Sequence, residues 1–130
     1  MPSFTMNAHG TAAVEDVWKL LHDPARFPDW WAGVETVRTG DGDEYTIWPT
    51  GYPDFPMGQR LRTEPSDGRV TISCLVSDLE YTWQLREAGT GTDIEVHVEI
   101  PEAEAHRLED QRALLALSID RLVSLAGSMA

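Results

Sequence analysis

The order and spacing of apolar residues predict an α+β fold: a seven-stranded, curved antiparallel sheet wrapped around a long C-terminal helix, with two short helices after the first strand. Three observations carry this. Residues 102–127 follow Pro101, contain no further proline, reach Gly127, and repeat apolar residues at helical spacing through Leu108, Leu115, Ile119, Leu122 and Ala126. From Gly33 to Pro101 the period is two, cut by turn signals into six short segments. Ahead of these lie one alternating segment and a short amphipathic one. A helix of that length, on the order of 35–40 Å at 1.5 Å per residue, cannot bury its own stripe, so the sheet must curl over it.

Residues 3–9 set Phe4, Met6 and Ala8 against Ser3, Thr5, Asn7 and His9, the pattern of a half-buried strand. Thr11 is placed to cap a helix over 12–22, with Glu15 and Asp16 in its first turns and Val14, Val17, Trp18 and Leu21 on one stripe. Asp23-Pro24 restarts helical structure with a cap and a first-position proline, and Pro28 limits it to a turn. The connector that results carries Phe27, Trp30 and Trp31, which must plug a core or line a cavity. Strands are expected at 34–39, 43–48, 59–64, 69–77, 80–87 and 92–100. The turns between them are Gly40-Asp41-Gly42, the proline-rich stretch 49–58, Ser66-Asp67-Gly68, Asp78-Leu79 and Gly89-Thr90-Gly91. Tight turns between successive strands make an antiparallel meander. In the last strand Ile94, Val96, Val98 and Ile100 face the core, and Asp93, Glu95, His97 and Glu99 face water.

The 130 residues are read as one domain over 1–130, large enough for a core. A formal charge of −12 argues against a nucleic-acid partner, which needs a basic face, and against an anionic membrane surface. No apolar run approaches the roughly 20 residues of a membrane span. With Cys74 as the lone cysteine and no signal-peptide pattern at the start, the expected location is the cytoplasm, as monomer or homodimer.

Val17-Trp18-Lys19-Leu20-Leu21-His22-Asp23-Pro24, then Phe27-Pro28-Asp29-Trp30-Trp31-Ala32-Gly33-Val34, and Gly91-Thr92-Asp93 before the last strand, carry a family resemblance. The chain resembles the helix-grip (START, birch-pollen-allergen-like, SRPBCC) superfamily, in its polyketide cyclase/dehydrase-like branch, over nearly its whole length. The resemblance implies a cavity between the concave sheet face and the long helix, with its mouth near the connector. The stretch 49–58, with its prolines, Tyr52 and Phe55, is longer than a plain hairpin turn and can serve as a lid or fill the cavity.

The four histidines show no metal-binding spacing, and neither a metal nor a cofactor is expected. Cys74 falls in phase with Val70, Ile72 and Val76, which suits a buried hydrophobe better than a nucleophile. Asp120 interrupts the apolar half of the long helix and is placed at the edge of its stripe; Arg60 and Arg62 flank Leu61 and are placed outside. Tyr81 and Trp83 alternate with Leu85, Tyr45 shares a face with Ile47, and Trp48 ends its strand. Given the implied cavity, the residues expected to line it are Trp30, Tyr45, Trp48, Cys74, Trp83, Leu115 and Ile119, with Tyr52 and Phe55 as lid. The expected function is binding of a small, mostly hydrophobic ligand, aromatic or lipid-like. The alternatives are an aromatase/cyclase-type enzyme, for which no acid–base pair is identified, and a protein-interaction module of the chaperone-cofactor kind.

Overall fold

The computed structural model describes residues 2–75 and 77–128. Strand β1 (Ser3–Gly10) leads into α1 (Val14–Leu21), a 3-10 turn (Pro24–Arg26) and the one-turn α2 (Phe27–Trp30). Six strands follow: β2 (Val34–Thr39), β3 (Glu44–Pro49), β4 (Met57–Glu64), β5 (Arg69–Cys74), β6 (Glu80–Ala88) and β7 (Gly91–Glu99). A 3-10 segment (Glu102–Arg107) then enters the long helix α3 (Leu108–Ser128). The strands form one antiparallel sheet in the order β1-β7-β6-β5-β4-β3-β2, so the first strand closes against the last, from Ser3 opposite Glu99 to Gly10 opposite Thr92. This is the helix-grip arrangement.

The alternation in the strands sorts the two faces as expected. Phe4, Tyr45, Ile47, Leu61, Val70, Ile72, Tyr81, Trp83, Leu85, Ile94, Val96 and Val98 are buried on the inner face. Arg60 lies on the outer face, its guanidinium 2.9 Å from Glu44 and 3.5 Å from Asp43, and Arg62 is exposed. His97 is also outward, with Thr5 Oγ1 2.8 Å from Nδ1. On α3 the buried residues are Leu115, Ser118, Ile119, Leu122 and Ala126, the steps of three and four that keep one face against the sheet, and Asp120 is exposed.

Some boundaries differ from the sequence reading. The first helix starts at Val14 with Ala13 as its cap and no side-chain cap bond, because Thr92 Oγ1 donates to the Ala12 carbonyl at 2.8 Å and holds the preceding backbone out of the helix. Thr11 is therefore not its cap. Asp23 does cap, accepting from the Ala25 N–H at 3.1 Å, but Pro28 lies in the first turn of α2 instead of ending the turn before it. Strand β5 stops at Cys74, short of residue 77; Val76 lies outside the described residues. The α-helical part of the C-terminal segment starts at Leu108, since residues 102–107 bury no side chain that would set them against the sheet. Gly127 does not take the left-handed conformation of a helix stop, and α3 runs on to Ser128.

Two glycines of the motifs noted in the sequence have backbone roles. Gly33, at φ 92°, turns the chain from α2 into β2. At Gly91 an added Cβ would collide with the Gly10 carbonyl, so only glycine lets β7 begin this close to the end of β1. The same corner admits α3, whose Val123 lies against Gly10.

Candidate functional site

The space beneath α3 is filled by an aromatic cluster that the connector inserts. Trp31 stacks on Trp30 at 5.3 Å and meets Tyr81 and Trp83 edge-on at 5.1 and 5.6 Å. Phe27 packs edge-on against Trp30 and Tyr45. Trp30 is sealed from solvent and donates its indole N–H to the Leu20 carbonyl at 3.0 Å, satisfying one of the open carbonyls at the end of α1. Trp83 is equally buried, but its indole N–H has no partner among the described residues. Ser118 ties the connector to α3: its hydroxyl accepts from the Ala32 N–H at 2.8 Å and donates to the Leu114 carbonyl at 2.6 Å.

The open space lies beside this cluster. A groove of about 900 Å³ runs between α3 and the 49–57 loop. Its floor is Pro28 and Trp31 to Val34, one wall is Tyr52, Phe55 and Met57, and the other is Leu114, Leu117, Arg107 and Arg121. The loop is folded by successive turns and tied to the floor, with the Thr50 N–H donating to the Gly33 carbonyl at 3.0 Å. Tyr52 and Phe55 touch edge-to-face at 6.1 Å and stay exposed, so they rim the groove and do not fill the interior. The groove shares Trp31, Met57, Arg107 and Leu114 with an adjoining recess of about 120 Å³, lined also by Leu79, Tyr81, Gln59, Glu104 and Gln111.

Polar groups gather at the recess. Tyr81 donates its hydroxyl to Gln111 Oε1 at 3.0 Å, and Tyr45 donates to Gln59 Oε1 at 2.7 Å. Burial pushes both phenols far above their ordinary pKa of 10.0, with smaller contributions from Cys74. Both remain neutral hydrogen-bond donors in water of ordinary pH. Arg107 stands 3.4 Å from Glu104. Among the described residues no three His, Cys, Asp or Glu side chains come together to hold a metal ion.

The nine residues singled out from the sequence are thus separated. Tyr52 and Phe55 line the groove, and Tyr45 stands behind the recess through Gln59. Trp30, Trp83, Leu115 and Ile119 are packed in the core and line no part of the groove, and Trp31 packs against both indoles. Cys74 is buried on β5 and borders a notch with Ser77 and Asp78, away from the groove. Trp48 sits on the outer face of β3, opposite in phase to Tyr45 and Ile47, where it lines a surface depression with Thr36 and Arg38. Trp31, Gln59, Tyr81, Arg107, Gln111, Leu114 and Leu117 line the groove or recess and are not among the nine. A second stripe on α3, Leu114, Leu117 and Arg121, was the available signal.

A helix-grip scaffold with a groove opening beside its C-terminal helix defines the class of molecule. Residues 1–125 match the family model for polyketide cyclase / dehydrase and lipid transport, and the chain belongs to that family. No curated protein matches the sequence. Among solved structures, a START superfamily protein from Mycobacterium smegmatis is similar at TM-score 0.75 and 12% identity, covering 98% of this chain and 99% of that one. A Thermobifida fusca protein superposes at TM-score 0.78 and 14% identity, over 98% and 95% of the two chains. The di-domain ARO/CYC BexL of the BE-7585A biosynthetic pathway matches at TM-score 0.74 and 17% identity, over 98% of this chain and 46% of that one. At these identities the likeness is one of fold.

Proposed function

We propose that this protein binds a small, mostly hydrophobic molecule, aromatic or lipid-like, in the open groove between the 49–57 loop and α3, with one end of the ligand in the recess. The observation that supports this most is where the apolar surface lies. Among the described residues five large hydrophobic side chains are open to solvent: Tyr52 (59%), Phe55 (65%), Leu75 (45%), Leu114 (38%) and Leu117 (46%). All but Leu75 line this groove. Such a concentration marks a binding surface, whereas scattered single residues would not. Its volume falls in the range of small-molecule sites, roughly 300–1,000 Å³. Tyr52, Phe55, Trp31, Leu114 and Leu117 make the apolar contacts in this reading; Trp30, Trp83, Leu115 and Ile119 support the floor from behind.

The test uses the neutral probe N-phenyl-1-naphthylamine, followed by its own emission and by quenching of tryptophan. Saturable binding is expected. Leu114→Glu and Leu117→Glu should each weaken it at least about tenfold while changing stability by less than about 0.5 kcal/mol, since both sites are exposed. Trp31→Phe should remove most of the quenching. Binding that is unsaturable, or unaffected by either glutamate, would overturn the proposal.

A second reading, an aromatase/cyclase-type enzyme, draws on the polar recess and on the fold shared with BexL. In it Tyr81 would donate to a carbonyl oxygen of a polyketone chain, the role its raised pKa permits; the same shift makes it a poor base. With no carboxylate or imidazole among the residues of the groove and recess except Glu35 and Glu104, binding is the better-supported function.

A further inference from the structure

The charge of the groove runs against the charge of the chain. The protein carries 22 acidic and 10 basic side chains, yet the groove is lined by two arginines, Arg107 and Arg121, and one carboxylate, Glu35. The two arginines differ. Arg107 stands 3.4 Å from Glu104, which also lines the recess, so an anion placed there would meet a like charge. Glu35, on the opposite side, is 3.4 Å from the Thr50 hydroxyl that donates to it. Arg121 makes no ion pair with any described residue, and it lies one turn beyond Leu117 and two beyond Leu114 on the same face of α3. Asp120 beside it is exposed and does not line the groove.

Resting on the binding function above, we propose that the ligand is an amphiphile with a single anionic group, a carboxylate or similar oxyanion, seated on Arg121. Its apolar body lies along Leu117 and Leu114 over Trp31, and its far end enters the recess. A guanidinium offers a forked pair of N–H donors to an oxyanion, and the apolar surface beside it lowers the local dielectric, so the pairing exceeds that of two solvated charges. A neutral ligand would leave the arginine to water. The chain's net charge of −12 also disfavours a polyanion, which selects for one charge on an otherwise apolar molecule.

The experiment compares two probes with the same ring skeleton, anionic 8-anilinonaphthalene-1-sulfonate and neutral N-phenyl-1-naphthylamine, on the full chain. At low salt the anion should bind about three- to tenfold more tightly than its neutral counterpart, as expected for one partly desolvated charge pair. Added salt should shrink that preference. Arg121→Gln should abolish it by lowering the affinity for the anion far more than that for the neutral probe, while Arg107→Gln should preserve most of it. Equal binding of the two probes, or a preference that survives Arg121→Gln, overturns the anionic ligand and leaves the groove standing. Failure of both probes to bind overturns the groove itself. Binding to phosphatidylglycerol vesicles that depends on Arg121, with no binding of the free sulfonate, would also overturn the proposal, because the anion would then belong to a membrane.

Discussion

Trp30 and Trp83 are both sealed from water, touch one another edge-on at 5.5 Å, and make opposite use of the indole N–H. Trp30 closes an open carbonyl of α1, whereas the donor of Trp83 is buried without a partner. Each substitution to phenylalanine removes ring volume, but only Trp30→Phe also strands the Leu20 carbonyl. Trp30→Phe should therefore cost about 1–2 kcal/mol more than Trp83→Phe in urea unfolding, the usual penalty for orphaning a buried polar group. The two buried phenols predict a further behaviour. Their folded pKa values are raised above the unfolded value of 10.0, so their neutral forms stabilise the fold fully below pH 10. As pH rises past 10 the unfolded chain releases protons that the folded one keeps, and stability should fall by about 1.4 kcal/mol per pH unit for each tyrosine. Tyr45→Phe or Tyr81→Phe should each halve that slope when unfolding is followed from pH 9 to 11.5. The inward direction of both rings was legible from the alternation around Ile47 and Leu85. What alternation cannot tell is whether the volume in front of an inward ring is empty, and here Trp31 occupies it.

At the scale of elements, the connector between α1 and β2 and the helix α3 are held together by one buried hydroxyl. Ser118 sits within the apolar stripe of α3, between Leu115 and Ile119, and a polar residue in such a stripe is the sequence's signal of a buried tie. Ser118→Ala should destabilise by about 1–3 kcal/mol, since it leaves the Ala32 N–H buried and unpaired. It should also loosen the groove floor, which a lower affinity for the neutral probe would report. The corner where β1 ends and β7 begins is as strict for a different reason. Gly91→Ala places a methyl group into the Gly10 carbonyl, so the strands must separate where Thr92 also fastens the entry to α1. Loss of cooperative thermal unfolding in Gly91→Ala, with near-normal behaviour in Gly89→Ser at the turn beside it, would check that the backbone approach is the cause, although serine at φ 65° carries its own modest strain.

For the molecule as a whole, the meander and its closing helix follow from local signals: period two between turn residues, period 3.6 after Pro101, and tight turns that leave neighbours antiparallel. The register of β1 against β7 is long-range, yet it follows too, because each strand has only one apolar face to bury. The groove was not legible in the same way. Its position depends on where the 49–57 loop comes to rest relative to α3, and that is decided by a few backbone bonds such as Thr50 to Gly33. Trp48 shows the cost of that gap: it stands next to the end of its strand beside the loop, but its phase puts it on the outer side of the sheet.

The two stripes of α3 are interleaved but distinct. Leu115, Ser118, Ile119, Leu122 and Ala126 hold the fold, and Leu114, Leu117 and Arg121 face the groove. Residues that face different neighbours contribute to stability almost independently. A library randomised at 114, 117 and 121 should consequently yield mostly folded members, in contrast to one randomised at 115, 119 and 122. Under the proposed binding function, ligand preference can drift through the first set at little risk to folding, so the same architecture can be retuned for new molecules one side chain at a time.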